Sequence, residues 1–584
     1  MSESILISNL YDVCKSSGLV SREYDADKWL AYDYATETFS GTNLFCGPLQ
    51  EVGELEIPLN RQGWHRIYLG IHYGMVGAPI EQRIVLTGTQ VMLYILRARL
   101  SGECWRDMIE PDTPSTRQAG YYTPDEGTPG WRGTSWDAID EVYWRAAKLD
   151  GKALLISPHR DVNHEWASSA LAFVRLVPMD EADVAEFERE KPRADTRRVF
   201  GNKDCDNAPL NEADVRKWLE PLRDSDFEMI AWGASLNDMC VYPTKVGIQQ
   251  SDTAHVMSLS SRRPFPDDGF DALKTAAEVC HEMGIEILGS MRPSGGRFPP
   301  AHLPSAGCPF FDEHPEFWCI SETGEPVGHL SLAFPEVRKM QIDVMRDYFD
   351  ERDLDGVYYY FNRCYPFVLY EEPVVEDFID RYGQDPRSLP FTDERWLAHR
   401  CRYVTTFMRE LRAMVDQVGR EKGRRLKICC AVVNSIDNCT MNSCDIETWM
   451  REHLVDGLLV HPCWSGINTG GDHRVTPETI QPIVKLAEPL GIKLWADLYP
   501  RYKPAEHIRQ QAMSFYQAGV HGVGFHDFYV QSPRKSEWAM IRLLGHREEL
   551  KSWRDKALSF GTSHHLKSIC GMSNDHRYTV HSNG

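Results

Sequence analysis

A chain of 584 residues is too long for one ordinary domain, because a single hydrophobic core stops growing at about 250–300 residues, and two or three domains are expected. Apolar residues make up 42% of the chain and charged residues 26%, which excludes a wholly disordered or fibrous protein. The 64 basic and 85 acidic residues give a formal charge of -21, so a nucleic-acid backbone or an anionic membrane is not expected as a partner.

The segment at the start of the chain lacks a basic stretch followed by a long apolar one, and no run approaches the ~18 apolar residues of a membrane helix. The 16 cysteines form neither a CxxC pair nor a zinc-finger spacing. Free thiols of this kind are typical of a reducing compartment. We therefore expect a soluble, cytoplasmic protein.

Short β-rich runs alternate with turns between about residues 50 and 177. Runs separated by Gly, Pro and Asp, with few helical patterns between them, are typical of an antiparallel sandwich. The runs are ELEIPL, WHRIYLGIHY, QRIVLTG, QVMLYILRA, EVYWRAAKL, KALLIS and ALAFVRLVP. This pattern predicts an N-terminal β-sandwich domain over residues 1–178, followed by a charged linker that contains one helix over residues 179–210.

After about residue 211 the pattern changes to a helix followed by a short apolar strand, and this unit is repeated. The apolar strands are FEMIAWG, GIEILGSM, LDGVYYYF, LKICCAVV, VDGLLVH, GIKLWAD and GVHGVGFHDF. Strands that alternate with helices of 10–15 residues build parallel sheets. We predict an α/β fold, a (β/α)8 TIM barrel over residues 211–550, and a C-terminal extension over residues 551–584.

These strands number seven, whereas a closed barrel needs eight. We expect the missing strand to be the third, around GHLSLAF at residues 328–334, because a strand is needed between GIEILGSM and the helix that starts at Pro335. A doubly wound open sheet is the alternative. It would usually carry a glycine-rich phosphate turn after the first strand, whereas this first strand ends in AWGASLND.

Barrel enzymes carry their sites at the C-terminal ends of the strands, so polar residues at those ends are the candidates here. Asp497 and Asp527 are predicted as the acid and the base, since paired carboxylates can protonate a leaving oxygen and stabilise or attack an anomeric carbon. Tyr360 and Glu371 are further catalytic candidates. The candidates for substrate binding are Trp232, Asp238, Arg292, Asn362, Arg363, His461, Trp464, Trp495, Tyr499 and His526. The tryptophans could stack on the apolar faces of a sugar.

Other interpretations of the same residues stay open. Strand-end Asp and His side chains often only cap the next helix or pair with a neighbouring Arg. Neither H-x-H nor HExxH occurs, so no metal is predicted, although His461, His526 and a carboxylate could approach as three ligands in the fold. Neither GxSxG nor GxxxxGK[ST] occurs, so acyl transfer and nucleotide hydrolysis lack support, and no cofactor is predicted.

The segment SLAFPEVRKMQIDVMRDYFDERDLDGVYYYFNRCYP resembles the stretch PEVR…DVDGI-x-x-D-x-x-R-x-P of the glycosyl-hydrolase-like family 10 proteins. The resemblance covers roughly residues 50–550, and it implies an amylase-like barrel behind a β-sandwich. Asp355 and Gly356 match the start of the fourth strand of that family, and Arg363 matches the arginine beyond it. A similar segment after the first strand is matched by Asp238, Tyr242 and Lys245, which adds Lys245 to the residues expected to bind substrate.

Tyr360 stands where members of that family usually carry an aspartate, the position of the amylase-type nucleophile. Either the tyrosine takes over as nucleophile, as one does in sialidases, or the site works by another route, or the chain only binds. The sequence thus predicts a glycoside hydrolase that acts on a glycoside or modified sugar by carboxylate acid/base catalysis. The alternatives are a non-catalytic carbohydrate-binding protein and a metal-dependent barrel hydrolase or lyase. Association into a homo-oligomer is left open, with the β domain as one source of a contact or a cover for the barrel.

Overall fold

The computed structural model describes residues 3–47, 50–72, 96–102, 107–109, 138–158, 169–205, 209, 211–219, 222–249, 269–293, 308–363, 365–462, 473–499, 505–526 and 535–573. The chain forms two compact units. The first consists of Met1–Arg193, Pro500–Gln510 and Ser532–Gly584, and the second consists of Ala194–Tyr499 and Gln511–Gln531. No helix in these described ranges is both long and apolar enough to cross a membrane.

The first unit is built from mainly antiparallel sheets, which confirms the β part of the predicted fold class. Its strands are β1 (Ile5–Ile7), β2 (Val20–Ser21), β3 (Trp29–Thr36), β4 (Ser40–Cys46), β5 (Leu55–Pro58), β6 (Trp64–His72), β7 (Leu96–Leu100), β8 (Asp107–Ile109), β9 (Ala138–Lys148), β10 (Ala153–Pro158), β11 (Ser169–Leu171) and β12 (Phe173–Pro178). One sheet has the order β1-β12-β6-β9, and a second has the order β5-β10-β7-β8. In β5, Leu55 and Ile57 are buried and Glu56 and Pro58 are exposed, the alternation of a strand with one face on a core.

Part of the predicted C-terminal extension belongs to this β unit. Gly561–Ile569 forms a strand that pairs antiparallel with β9 at one side and with β3 at the other, and Met572–Ser573 pairs with it in turn. The segment GTSHHLKSI has no clear alternation of apolar and polar residues, so its sequence does not signal a strand. Its neighbours in the sheet supply the hydrogen bonds that hold it extended.

The second unit contains a closed barrel of eight parallel strands, which confirms the predicted (β/α)8 fold. The strands are β13 (Val199–Lys203), β14 (Phe227–Leu236), β17 (Glu286–Arg292), β20 (Gly356–Tyr360), β21 (Lys427–Val433), β22 (Gly457–His461), β23 (Lys493–Asp497) and β24 (Gly522–Phe525). Two short strands, β15 (Met239–Cys240) and β16 (Ile248–Gln249), extend the sheet from β14. The pairing of β13 with both β24 and β14 closes the barrel, which excludes the doubly wound open sheet.

The expectation for the missing strand was wrong. The proposed third strand covers residues 328–334, of which only residues 328–330 are extended. They belong to β19 (Pro326–Leu330), which pairs with β18 (Trp318–Ile320) in a separate two-stranded sheet. The strand that the sequence did not predict is the first one, β13, which lies inside the linker predicted over residues 179–210. Its sequence VFGNK is short and half polar, but all five residues are buried, and Asn202 donates a hydrogen bond to the Tyr360 hydroxyl inside the barrel at 2.8 Å. A polar strand is stable there because its side chains find partners on other strands.

The helices of both units are short, with one exception. They are Leu10–Cys14, Glu181–Arg189, Glu212–Leu219, Ala272–Glu282, Pro309–Glu313, Pro335–Asp347, Glu372–Tyr382, Glu394–Lys422, Ile436–Met441, Ile446–Arg451, Pro477–Ala487, Ala505–Gln517, Lys535–Ile541 and Arg554–Ser559. Side-chain caps begin several of them: Asp271 accepts from the Lys274 N–H, and Thr476 and Thr479 form a capping box. The long helix ends at Gly423, whose φ of 69° is the left-handed conformation that glycine adopts easily.

Asp355 and Gly356, the strongest motif of the family resemblance, lie at the N-terminal end of β20 and so at the opposite end of the barrel from the predicted site. The Asp355 carboxylate accepts hydrogen bonds from the Ile287 N–H at 2.9 Å, His281 Nε2 at 3.0 Å and Arg424 Nη1 at 2.7 Å. A Cβ on Gly356 would come within 2.1 Å of the Lys427 carbonyl oxygen. The motif therefore ties neighbouring strands together.

Candidate active site

Three polar residues meet where β22, β23 and β24 end. His461 is the last residue of β22, Asp497 is the last residue of β23, and His526 follows β24 directly. One oxygen of the Asp497 carboxylate lies 2.5 Å from His461 Nδ1, and the other accepts the backbone N–H of His526 at 3.3 Å. All three residues are buried. Because both carboxylate oxygens already serve as acceptors, Asp497 is positioned to orient His461.

Arg363 completes this group from the far side of His526. It follows β20, and its Nε lies 3.1 Å from His526 Nε2. The rings of His461 and His526 are 4.4 Å apart between centroids and tilted by 40°. We call His461, Asp497, His526 and Arg363 the histidine cluster. Tyr499 adds an edge-on ring contact to His461, with 5.7 Å between the ring centroids.

Tyr360, the catalytic candidate at the end of β20, lies inside the barrel beneath the cluster. Its hydroxyl oxygen accepts the hydrogen bond from Asn202, and its ring packs edge-on against His526 at 5.7 Å between centroids. It is fully buried and belongs to the barrel core with Tyr358 and Trp495. These contacts suit a residue that supports His526 from below.

A second carboxylate at this end of the barrel was missed because its strand was missed. Asp204 follows β13, is almost fully buried, and its carboxylate lies 2.6 Å from Nη1 of Arg292, which ends β17. The other oxygen of Asp204 accepts the Cys205 N–H at 2.7 Å. Its signal in the sequence is the polar run NKD that follows the short apolar run VF. Arg292, predicted to bind substrate, is thus joined to a partner within the protein.

Two predicted tryptophans are fully buried by packing. Trp232 lies 6.3 Å from Trp218 between ring centroids, and the Lys203 ammonium lies 5.0 Å from its ring. Trp495 fills the barrel interior, where a Cβ on Gly457 would come within 2.5 Å of its ring. With no exposed ring face in the described structure, neither is placed to stack on a sugar.

Glu371 and Lys245 also lie apart from the histidine cluster. Glu371 is buried, accepts the Leu369 N–H at 2.9 Å, and precedes the helix Glu372–Tyr382. Burial raises the pKa of this carboxyl above its ordinary value. Lys245 is 68% exposed and pairs with Asp350 and Glu351 after the helix Pro335–Asp347. The contacts of Glu371 and Lys245 are with neighbouring parts of the fold and account for both residues structurally.

Asp238 and Asn362 are both buried near strand ends. One oxygen of Asp238 accepts the Phe310 N–H at 2.9 Å, and burial raises the pKa of this carboxyl to about 6. Asn362 follows Tyr360 by two residues and is 2% exposed. The two remaining candidates, Trp464 and Asp527, lie outside the described residues.

The sequence left open that His461, His526 and a carboxylate approach one another, and in the structure they do, with Asp497 as the carboxylate. One nitrogen of each ring has a partner within the protein, because His461 Nδ1 faces Asp497 and His526 Nε2 faces Arg363. Within the part of the chain that the structure describes, no group of three or more His, Cys, Asp or Glu side chains is arranged to hold a metal ion.

No protein-family model matches the chain, and no curated protein matches it. Among solved structures, the chain is similar to alpha-L-fucosidase isoenzyme 2 from Paenibacillus thiaminolyticus, with 12% identity, a TM-score of 0.40, and coverage of 61% of this chain and 50% of that one. It thus spans half the length of the fucosidase. For the PgaB (BpsB) glycoside hydrolase domain from Bordetella bronchiseptica the identity is 13%, the TM-score 0.39, and the coverage 62% and 98%.

The catalytic domain of beta-amylase from Paenibacillus polymyxa has 13% identity and a TM-score of 0.40, with 62% of this chain and 99% of that one covered. All three structures are of glycoside hydrolases. Similarities this remote do not bear on the activity of this chain, since fold and function separate readily in barrels. The resemblance to glycosyl-hydrolase-like family 10 remains a prediction.

Proposed function

We propose that this chain is a barrel enzyme that hydrolyses a glycoside or modified sugar, with His461 as the group that transfers the proton. The contact that supports this proposal is the 2.5 Å approach of Asp497 to His461 Nδ1 at the C-terminal ends of β22 and β23. Barrel enzymes place their chemistry at these strand ends. A carboxylate on Nδ1 orients the ring, makes Nε2 the nitrogen that exchanges a proton, and stabilises the imidazolium that forms.

The proposal changes the role of Asp497 from acid or base to positioning residue. In the hydrolysis, the bond between the anomeric carbon and the leaving oxygen breaks, and the leaving oxygen takes the proton from His461 Nε2. Water adds its oxygen to the anomeric carbon and gives its proton to a base, for which Asp527 remains the proposed residue. Arg363, Asn362 and Tyr499 are proposed to bind the hydroxyl groups of the sugar. The products are the free sugar, a hemiacetal with a hydroxyl group on the anomeric carbon, and the released alcohol. The base then gives its proton to solvent and His461 takes one from solvent, so both groups return to their starting forms.

A non-catalytic carbohydrate-binding protein is the second candidate. Two features favour it: Tyr360 stands where the resemblance to glycosyl-hydrolase-like family 10 implies an aspartate, and the Asp204 carboxylate is already paired with Arg292. A pair of carboxylates about 5–10 Å apart is the usual machinery of glycosidases. Asp497 and Asp204 are both occupied by protein partners, so catalysis depends on the histidine.

The test compares the parent with His461→Gln and with a control, His314→Gln, in which the replaced histidine is half-buried, pairs with Glu316 and lies outside the histidine cluster. Each protein is assayed on a panel of aryl glycosides and oligosaccharides. We expect hydrolysis by the parent and the control, and a loss of about 10²–10⁴-fold in His461→Gln. Near-parental turnover by His461→Gln would reject the proposed role. Binding of an oligosaccharide to the parent by calorimetry, with no product from any glycoside, would favour the binding protein.

Chelation tests the third candidate, a metal-dependent barrel hydrolase or lyase. Prolonged treatment with EDTA is expected to leave the hydrolysis rate of the parent unchanged. Activity that disappears with EDTA and returns with zinc or manganese would instead favour a metal-bound water as the nucleophile.

The proposed location is the cytoplasm. Every cysteine that the structure describes is a free thiol, and all except Cys570 are buried. Burial alone raises the pKa of Cys14 to about 12, so this thiol is protonated and unreactive at neutral pH. Unpaired cysteines in this number suit a reducing compartment.

A further inference from the structure

The two histidines of the histidine cluster have partners of opposite hydrogen-bonding character. His461 Nδ1 faces the carboxylate of Asp497, and His526 Nε2 faces the guanidinium of Arg363. We propose that Arg363 is a positioning residue that keeps His526 uncharged, with its proton on Nδ1, so that His461 alone carries the exchangeable proton. The different roles of the two histidines extend the proposed function and rest on it. The protonation states of His461 and His526 can be measured independently of any reaction.

The form of His526 follows from the chemistry of its neighbour. A guanidinium has five N–H donors, no acceptor, and does not lose its proton in proteins. At 3.1 Å from Arg363 Nε, His526 Nε2 must therefore supply a lone pair. An imidazole with an unprotonated Nε2 is neutral and carries its one proton on Nδ1. Protonation of Nε2 would set two N–H groups against each other and bring two positive charges into contact.

His461 has the opposite environment. An ionised carboxylate accepts hydrogen bonds only, so the 2.5 Å contact requires a proton on His461 Nδ1. When Nε2 is also protonated, the negative charge of Asp497 stabilises the resulting imidazolium. This environment allows His461 to pass between its neutral and charged forms while its ring keeps the same orientation.

The distance between the rings explains why only one of them should be charged. With 4.4 Å between the centroids, two imidazolium rings in a buried site would repel each other strongly. The described groups that face His526 are Arg363, His461, Asp497 and Tyr360. The carboxylate contacts the ring of His461 but only the backbone N–H of His526. The charge therefore belongs on His461, and His526 stays neutral and does not act as a second acid.

The experiment is a ring NMR titration of protein labelled with ¹⁵N and ¹³C at histidine. The chain has 21 histidines, and the signals of interest are assigned by their disappearance in His461→Gln and His526→Gln. We expect the parent His526 to show the Nδ1–H form and to remain uncharged from about pH 8 to about pH 5, whereas an ordinary histidine titrates near pH 6.5. In Arg363→Met, His526 should take up a proton within that range.

Arg395→Met serves as the control, because Arg395 is an exposed arginine that pairs with Asp393 at the start of a helix. It should leave the His526 signals as in the parent. A parent His526 with its proton on Nε2, or one that titrates alike in the parent and in Arg363→Met, would overturn the proposal. If Arg363→Met does not fold, the form of His526 in the parent decides by itself. The spectra need no substrate, so an absence of glycoside hydrolysis would reject the proposed function and leave this measurement intact.

Discussion

Replacing Asp497 by Asn tests whether this carboxylate orients His461. The two oxygens of Asp497 serve two donors, His461 Nδ1 at 2.5 Å and the His526 N–H at 3.3 Å. An asparagine of the same size has one acceptor oxygen and one NH2 group. It can therefore serve only one of the two donors, and its NH2 group must face the other.

The size of the effect follows from this count. A buried donor that loses its acceptor costs about 1–3 kcal/mol, so the free energy of unfolding of Asp497→Asn should fall by that amount. If the asparagine NH2 instead donates to His461 Nδ1, the neutral ring must move its proton to Nε2, and the orienting carboxylate is lost. Turnover should then fall by about 10²–10⁴-fold, the usual contribution of general acid/base catalysis.

Denaturant unfolding followed by tryptophan fluorescence measures the first quantity, and the glycoside panel measures the second. Asp437→Asn is the matched control, because Asp437 is an exposed aspartate that follows β21, and its replacement should change the free energy of unfolding by less than about 0.5 kcal/mol. The losses of turnover in Asp497→Asn and His461→Gln should not multiply in the double variant. Parental stability and turnover in Asp497→Asn, or fully multiplicative losses, would refute the coupling.

Three further results are expected. Asp355→Asn should lower the free energy of unfolding by roughly 2 kcal/mol, because the ion pair with Arg424 and the hydrogen bond from the Ile287 N–H are weakened. Its turnover should equal that of the parent. Lost turnover at parental stability would instead show that the motif is catalytic. Burial raises the pKa of Asp238 to about 6 from the ordinary 3.8, so the free energy of unfolding of the parent falls as the pH rises between these two values. Asp238→Asn should therefore be more stable than the parent at pH 7, by up to roughly 3 kcal/mol. Below about pH 4 the two proteins should have the same free energy of unfolding, as measured by denaturant unfolding. Trypsin should cut first at exposed Arg193, whereas first cuts within the barrel strands would show that the domain boundary is misplaced.

The strand ends that form the histidine cluster could be predicted from the sequence because β22, β23 and β24 are apolar runs of four or five buried residues. Each is preceded by a helix pattern, and each ends in or just before a polar residue. In a parallel barrel these ends meet at one rim, so the nearness of His461, Asp497 and His526 follows from the fold. For β13 the same reasoning fails, since its apolar run VF is too short to predict a strand, although polar residues follow it.

Composition and periodicity by themselves determined that a β unit precedes a parallel barrel, because burial on one or both faces of a strand leaves a local pattern. Which side chains contact each other was decided only by the tertiary structure. The contact of Asn202 with Tyr360 joins residues 158 positions apart, and that of His461 with Asp497 joins residues 36 positions apart. The burial of Trp495 in the barrel core and the turning of Asp497 toward a histidine are likewise tertiary. Hydrogen-bond partners and buried faces depend on distant strands, and no local pattern records them.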